Sequence, residues 1–135
     1  MSRHWKLEGK EVVECKGGAL EWAKWFETAE RHVAKTELTA GVTKLVVSTV
    51  FLGIDHNFGF EDKRPILFET IIYSPAKTPE DRSSWDDCQW RYRTYDEAER
   101  CHNAIVAMLR DGQDPTELSR ESLLLFDQLL EKQSP

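Results

Sequence analysis

Asp55, His56 and Asn57 stand together where the apolar run Leu45 to Ile54 ends. A carboxylate beside an imidazole at a strand end is raw material for proton transfer or for metal ligation. Glu69, isolated in the otherwise apolar segment 66 to 74, would add a further oxygen donor. Spacing argues against one ion shared among them. A hairpin pairing symmetrically about residue 60 sets Glu69 opposite Phe51, roughly 10 Å from the loop mouth at about 3.3 Å per residue. The alternative is local structure, with Asp55 and Asn57 bonding loop amides as Asx turns do and His56 donating to a carbonyl. For Glu69 the alternative is an ion pair with Arg91 or Arg93, because a half-buried carboxylate requires a partner.

A second constellation lies in the segment CQWRYRTY, where Gln89, Arg91, Arg93 and Tyr95 alternate with Trp90 and Tyr92. Guanidinium forks and a phenol at period two suit an anion such as a phosphate, and the competing reading is a solvated sheet face with salt bridges. His102, one turn into the following helix, either approaches this surface or is buried and satisfied. The candidate binding set is therefore Asp55, His56, Asn57, Glu69, Arg91, Arg93, Tyr95 and His102, with no catalytic or metal residues assigned. No P-loop, dinucleotide fingerprint, nucleophile elbow, HExxH or EF-hand pattern occurs in the chain, and no cofactor is expected. Cys15, Cys88 and Cys101 are odd in number and lack a CxxC pair, which reads as reduced thiols.

These residues need elements to hold them. Residues 5 to 15 alternate around Glu8-Gly9 as a short N-terminal hairpin within 1 to 18. From Ala19 the spacing turns helical, with Leu20, Trp22, Ala23, Trp25, Phe26 and Ala29 as an apolar stripe read as core. Strands are expected over 31 to 39, 44 to 54, 66 to 74 and about 88 to 95, with a turn at Gly41 and a polar loop over 75 to 87. The strand 44 to 54 is apolar on both parities, Leu45, Val47 and Phe51 against Val46, Val50, Leu52 and Ile54, as for a strand covered on both sides. Three modest helices would cover only one face, so a partner or a second copy is expected on the other. Thr94 with Glu97 forms a capping box that opens a helix to about Arg110, with Ala98, Cys101, Ile105, Met108 and Leu109 inward. After Gly112, Asp114 as N-cap and Pro115 at N1 open a last helix, whose apolar face is Leu118, Leu125, Phe126, Leu129 and Leu130. The fold class is α+β: an antiparallel meander of about four to five strands, packed with an N-terminal amphipathic helix and two C-terminal helices, residues 113 to 135 being a helical extension.

The 135 residues suit one domain over 1-135, enough to bury about two-thirds of the unfolded surface. A net charge of −6 argues against general nucleic-acid binding, which rests on clustered Lys and Arg. The longest apolar run is too short to span a bilayer, so no membrane is expected and the reading is a cytoplasmic protein.

The stretches LEWAKWFETAERHVAKTEL, VSTVFLGIDHNFG, ILFETIIY and WRYRTYDEAERCH resemble, in order and spacing, a family of small uncharacterised proteins from bacteriophage and prophage genomes. That family shows EWARWFE, STVFLGLDH, LFETMVF and RYSTWEEA followed by Gly-His, and the resemblance covers about residues 19 to 107. Tyr95 stands where the family often has Trp, and Cys101 precedes His102 where it often has Gly. The connection before Trp90 is longer, and the helix at 115 to 131 is outside the pattern. The resemblance implies a host-directed, non-enzymatic binding protein of the bacterial cytoplasm, a counter-defence candidate. Together with the second apolar sheet face, this gives the expectation of a homo-oligomer that either binds a host defence protein or sequesters a small anionic, nucleotide-like ligand through Arg91, Arg93 and the Asp55-His56 loop. Two alternatives come from other classes: a metal-assisted hydrolase or nuclease using Asp55 and His56 with Glu69 or His102, and a structural accessory domain.

Overall fold

The computed structural model describes residues 3 to 40, 43 to 59, 61 to 75 and 88 to 133. The turn at Gly41 and nearly all of the polar loop, 76 to 87, lie outside them. The described chain is a mixed α+β structure with two antiparallel sheets and three helices. Strands β1 (Trp5–Glu8) and β2 (Glu11–Glu14) form the expected hairpin, turning at Gly9, whose φ of 63° favours glycine. Helix α1 (Gly18–Phe26) follows. Strands β3 (His32–Ala40), β4 (Thr43–Phe51), β5 (Phe68–Tyr73) and β6 (Cys88–Tyr92) make a four-stranded antiparallel meander in that order. Helices α2 (Tyr95–Arg110) and α3 (Arg120–Gln133) close the fold.

Alternation along β4 decides the core. Leu45, Val47, Thr49 and Phe51 face α2 and are buried, together with Phe68, Thr70 and Ile72 of β5 and Trp90 and Tyr92 of β6. Ala98, Cys101, Ala104, Ile105, Met108 and Leu109 of α2 fill the space above them. The α2 start is the expected capping box: Thr94 Oγ1 accepts from Glu97 N at 3.1 Å and lies 3.3 Å from Glu97 Oε1. On the second sheet face Val46 and Ser48 are buried, whereas Val50, Ile71 and Tyr73 are half-buried among Lys35, Glu37, Glu69, Gln89 and Arg91. That face is thus mixed in character rather than covered throughout.

The β1–β2 hairpin is fastened to the sheet through Gly53, whose carbonyl accepts from Trp5 N at 2.8 Å. Gly53 holds φ at 80°, and a Cβ there would sit 2.7 Å from Trp22 Nε1. Only glycine meets both demands.

Several sequence expectations need correction. Strand β4 ends at Phe51, and Ile54 makes only an isolated bridge to His4, because the β1–β2 hairpin takes over the pairing there. Glu69 lies opposite Val50 rather than Phe51, which pairs with Phe68; the ladder is offset by one residue from symmetry about residue 60. The α1 stripe is half-buried at most, since α1 lies at the rim: Trp25 meets Phe51 edge-on at 5.7 Å and Trp22 stacks beside Phe26 at 4.5 Å. Leu20 is exposed.

The last helix begins five residues later than its Asp-Pro signal suggests. Asp114 Oδ1 accepts from Thr116 N at 2.8 Å in a local turn, and Ser119 is the cap, its Oγ accepting from Ser122 N at 3.2 Å. The helix is also rotated from its expected face: Leu125 and Leu129 are 63% and 56% exposed, while Leu123 and Asp127 are buried. Asp127 binds Arg100 of α2 at 3.0 Å, so an ion pair sits on the face that packs against α2.

Candidate functional site

Asp55, His56 and Asn57 build a backbone scaffold. Asp55 Oδ1 accepts from Asn57 N at 2.8 Å and from Ile66 N at 3.0 Å, which ties the segment after β4 to the segment before β5. Asn57 Nδ2 donates to the carbonyls of Asp62 and Arg64 at 2.6 and 2.9 Å. His56 N donates to Ile66 O at 2.9 Å, and His56 Nδ1 donates to Ile54 O at 2.7 Å. The last bond places the neutral ring's proton on Nδ1 and leaves Nε2 as the atom that can meet a ligand.

Glu69 is an ion-pair partner: its Oε2 accepts from Arg91 Nε at 2.9 Å, directly across the β5–β6 ladder. His56 bonds beside Ile66, so Glu69 stands three residues farther along, about 10 Å at strand spacing. His102 is on the opposite side of the sheet, and Tyr95 is the first residue of α2. The Tyr95 ring meets Phe68 edge-on at 6.1 Å and has Lys10 Nζ 5.4 Å from its centroid, away from the arginine face. The ligand set required by a metal-assisted hydrolase is therefore not assembled, and no cluster of three His, Cys, Asp or Glu groups suited to a metal occurs among the described residues.

What does assemble is a cleft of about 370 Å³ lined by His56, Ile66, Arg91, Arg93, Arg120 and Glu121. It draws on the segment after β4, the end of β6 and the first turn of α3. Arg93 is the most buried of the three arginines: its Nε donates to Arg64 O at 3.2 Å and its Nη2 to Asp62 O at 3.4 Å. Asp62 in turn is clamped by Arg64, with Nη2 to Oδ2 at 2.6 Å, and this contact holds its carboxyl well below the usual carboxylate range. Arg120 Nη2 donates to Glu121 Oε1 at 2.7 Å, which lowers the Glu121 pKa, and Arg120 Nε lies 3.8 Å from Glu97. A guanidinium carries five N–H donors, so each of these arginines keeps donors beyond those already engaged. Fixed forks around one opening can bind a small anion bidentately. Arg120 and Glu121 were not legible as site residues, since they lie far along the chain and read as an ordinary helix start.

His102 belongs to a different structure. It is 2% exposed, with Nε2 2.9 Å from Thr36 Oγ1 and Nδ1 2.7 Å from Thr49 Oγ1. Thr49 Oγ1 is 2.6 Å from Thr70 Oγ1, which accepts from Tyr92 Oη at 3.0 Å. One arrangement gives each proton from Tyr92 to the ring an acceptor within the network. Tyr92 donates to Thr70, Thr70 to Thr49, Thr49 to Nδ1, and Nε2–H to Thr36. Burial lowers the His102 pKa from 6.5 to about 4, so the ring is neutral at physiological pH. Burial likewise pushes the Cys101 thiol up to about 12, where it is a poor nucleophile.

No protein-family model, curated protein or solved structure matches the chain.

Proposed function

We propose that the protein is a phage-type, non-enzymatic binding protein of the bacterial cytoplasm that sequesters a small phosphate-bearing anion, nucleotide-like in size, as a counter-defence factor. The observation that carries this reading is the convergence of Arg91, Arg93 and Arg120 with His56 on one 370 Å³ cleft. That volume lies in the range of small-molecule sites and suits a mononucleotide or a smaller polyphosphate. The phosphate end meets the guanidinium forks, and Ile66 offers apolar surface for the remainder. The phage origin rests on the resemblance of residues 19 to 107. Between the two kinds of target that resemblance implies, the cleft favours the small ligand over a host protein.

The test is thermal denaturation of the full chain with inorganic pyrophosphate and with linear and cyclic nucleotides. A ligand at 100 times its Kd adds about 2.7 kcal/mol, which moves the midpoint by several degrees. A rise with one class, lost in Arg93→Ala and Arg120→Ala variants that remain folded, supports the assignment. A flat response to every anion sinks it, as does a rise that both variants retain.

A further inference from the structure

Among the described residues, the outer edge of β3 leaves its backbone hydrogen-bonding groups unpaired. The sheet order puts β3 at an edge, and among the described residues nothing pairs with its outer side. The ladder decides which groups point outward. Leu52 N donates to Leu67 O, so even-numbered residues of this segment turn their backbone groups toward β5 and odd-numbered ones toward β3; Phe51 N, bonding to Arg31 O, agrees. Val47 pairs with Thr36, Thr49 with Ala34 and Leu45 with Leu38. Ala34, Thr36 and Leu38 therefore point inward, and Lys35, Glu37 and Thr39 present N–H and C=O groups to solvent. All three are exposed, and neither Lys35 nor Glu37 makes an ion pair among the described residues.

We propose that this edge pairs with the same edge of a second copy of the chain, antiparallel, about a twofold axis at Thr36. A self-pairing must set outward residues against outward residues, which permits axes at Lys35, Thr36, Glu37 or Leu38. An axis at Lys35 or Glu37 sets like charges opposite each other, and an axis at Leu38 sets Glu37 against Thr39. The axis at Thr36 places Lys35 opposite the partner's Glu37, and symmetry repeats the pair. Lys35 and the partner's Glu37 then exchange both N–H···O bonds, giving four across the interface. Directly opposed unlike charges on a sheet face attract, whereas like charges repel. Lysine on an edge usually deters pairing; here an acidic residue two positions on makes the edge complementary to itself. The irregularity between His32 and Ala34 ends the regular ladder just beyond this register. The two clefts would lie near opposite ends of the doubled sheet, so the pairing and the anion reading stand independently.

The test is the solution mass of the full chain by sedimentation or light scattering across the micromolar range, with thermal denaturation confirming that each variant is folded. The wild type is expected at twice the 15.7 kDa chain mass. Lys35→Glu alone, or Glu37→Lys alone, should return the mass to one chain. The two single variants mixed should form a heterodimer, because one edge is then doubly acidic and the other doubly basic, and the double reversal in one chain should restore the homodimer. A monomeric wild type overturns the proposal, and so does a dimer indifferent to either single reversal. Single variants that fall apart and do not recover on mixing overturn the register.

Discussion

Strand β6 divides two regions that use similar residues to opposite ends. On the α2 side, Tyr92 begins a closed chain of hydrogen bonds through Thr70 and Thr49 to His102. On the other side, Arg91 and the following Arg93 open onto the cleft with His56. Both regions contain a histidine anchored by a short hydrogen bond. In the core both ring nitrogens are engaged, so the imidazole specifies packing. At the cleft, among the described residues, only Nδ1 is engaged by a hydrogen bond, and Nε2 is the atom left to meet a ligand. The number of anchored atoms separates the histidine of the core from the one at the cleft, and neighbouring residue types do not.

This contrast can be broken most forcefully in the core. His102→Ala removes a buried ring and leaves Thr36 and Thr49 short of partners, so a loss of about 3 kcal/mol is expected, roughly 10 °C in the melting midpoint. His56→Ala should cost less, because that ring is half-buried and anchors only one carbonyl. Equal costs at the two sites would refute the contrast.

A pH series sharpens the same point. The folded pKa of His102, about 4, lies below its ordinary 6.5, so the unfolded chain takes up the proton first as pH falls. Its contribution is complete above pH 6.5, is lost between 6.5 and 4 by up to roughly 3 kcal/mol, and levels off below. Denaturant unfolding of the wild type against His102→Gln should show that slope only in the wild type.

At the cleft the expected effects fall on ligand affinity. Arg93→Ala should weaken binding of whichever phosphate compound shifts the midpoint by roughly 10- to 100-fold, the loss of about 1.4 to 2.8 kcal/mol from a charge-assisted pair. Stability should change by less than His102→Ala changes it, and calorimetry would read both. The smallest effect is expected from Glu69→Gln. Removing that carboxylate frees Arg91 on a partly exposed face, so anion affinity should rise several-fold while stability falls by less than about 1 kcal/mol. Weaker binding in that variant would show that Arg91 needs Glu69 to be held in place.

Local signals in the chain account for most of the elements. Period-two alternation marked the hairpin and β6, runs apolar on both parities marked β4 and β5, the Thr94–Glu97 box opened α2, and its apolar stripe proved to be the buried one. The pairing of Glu69 with Arg91 and the Asx role of Asp55 were both legible as alternatives, because each depends on neighbours in the ladder or the loop. What failed depended on partners distant in sequence. The face of α3 was misread because the leucine-rich segment offers apolar residues on several faces, and the one that meets the core carries Leu123 with Asp127, which pairs with Arg100; its start was misread because Asp114 and Ser119 both carry capping side chains.

The sequence by itself determined that a meander of strands would bury one face beneath a capped helix, since periodicity and capping are properties of short segments. Only the tertiary structure decided that His102 belongs to the core and His56 to a cleft, that Tyr95 leaves the arginine face, and that Arg120 joins Arg91 and Arg93. The physical reason is that hydrogen-bond saturation and charge convergence are set by which distant segments meet, and no local spacing records that.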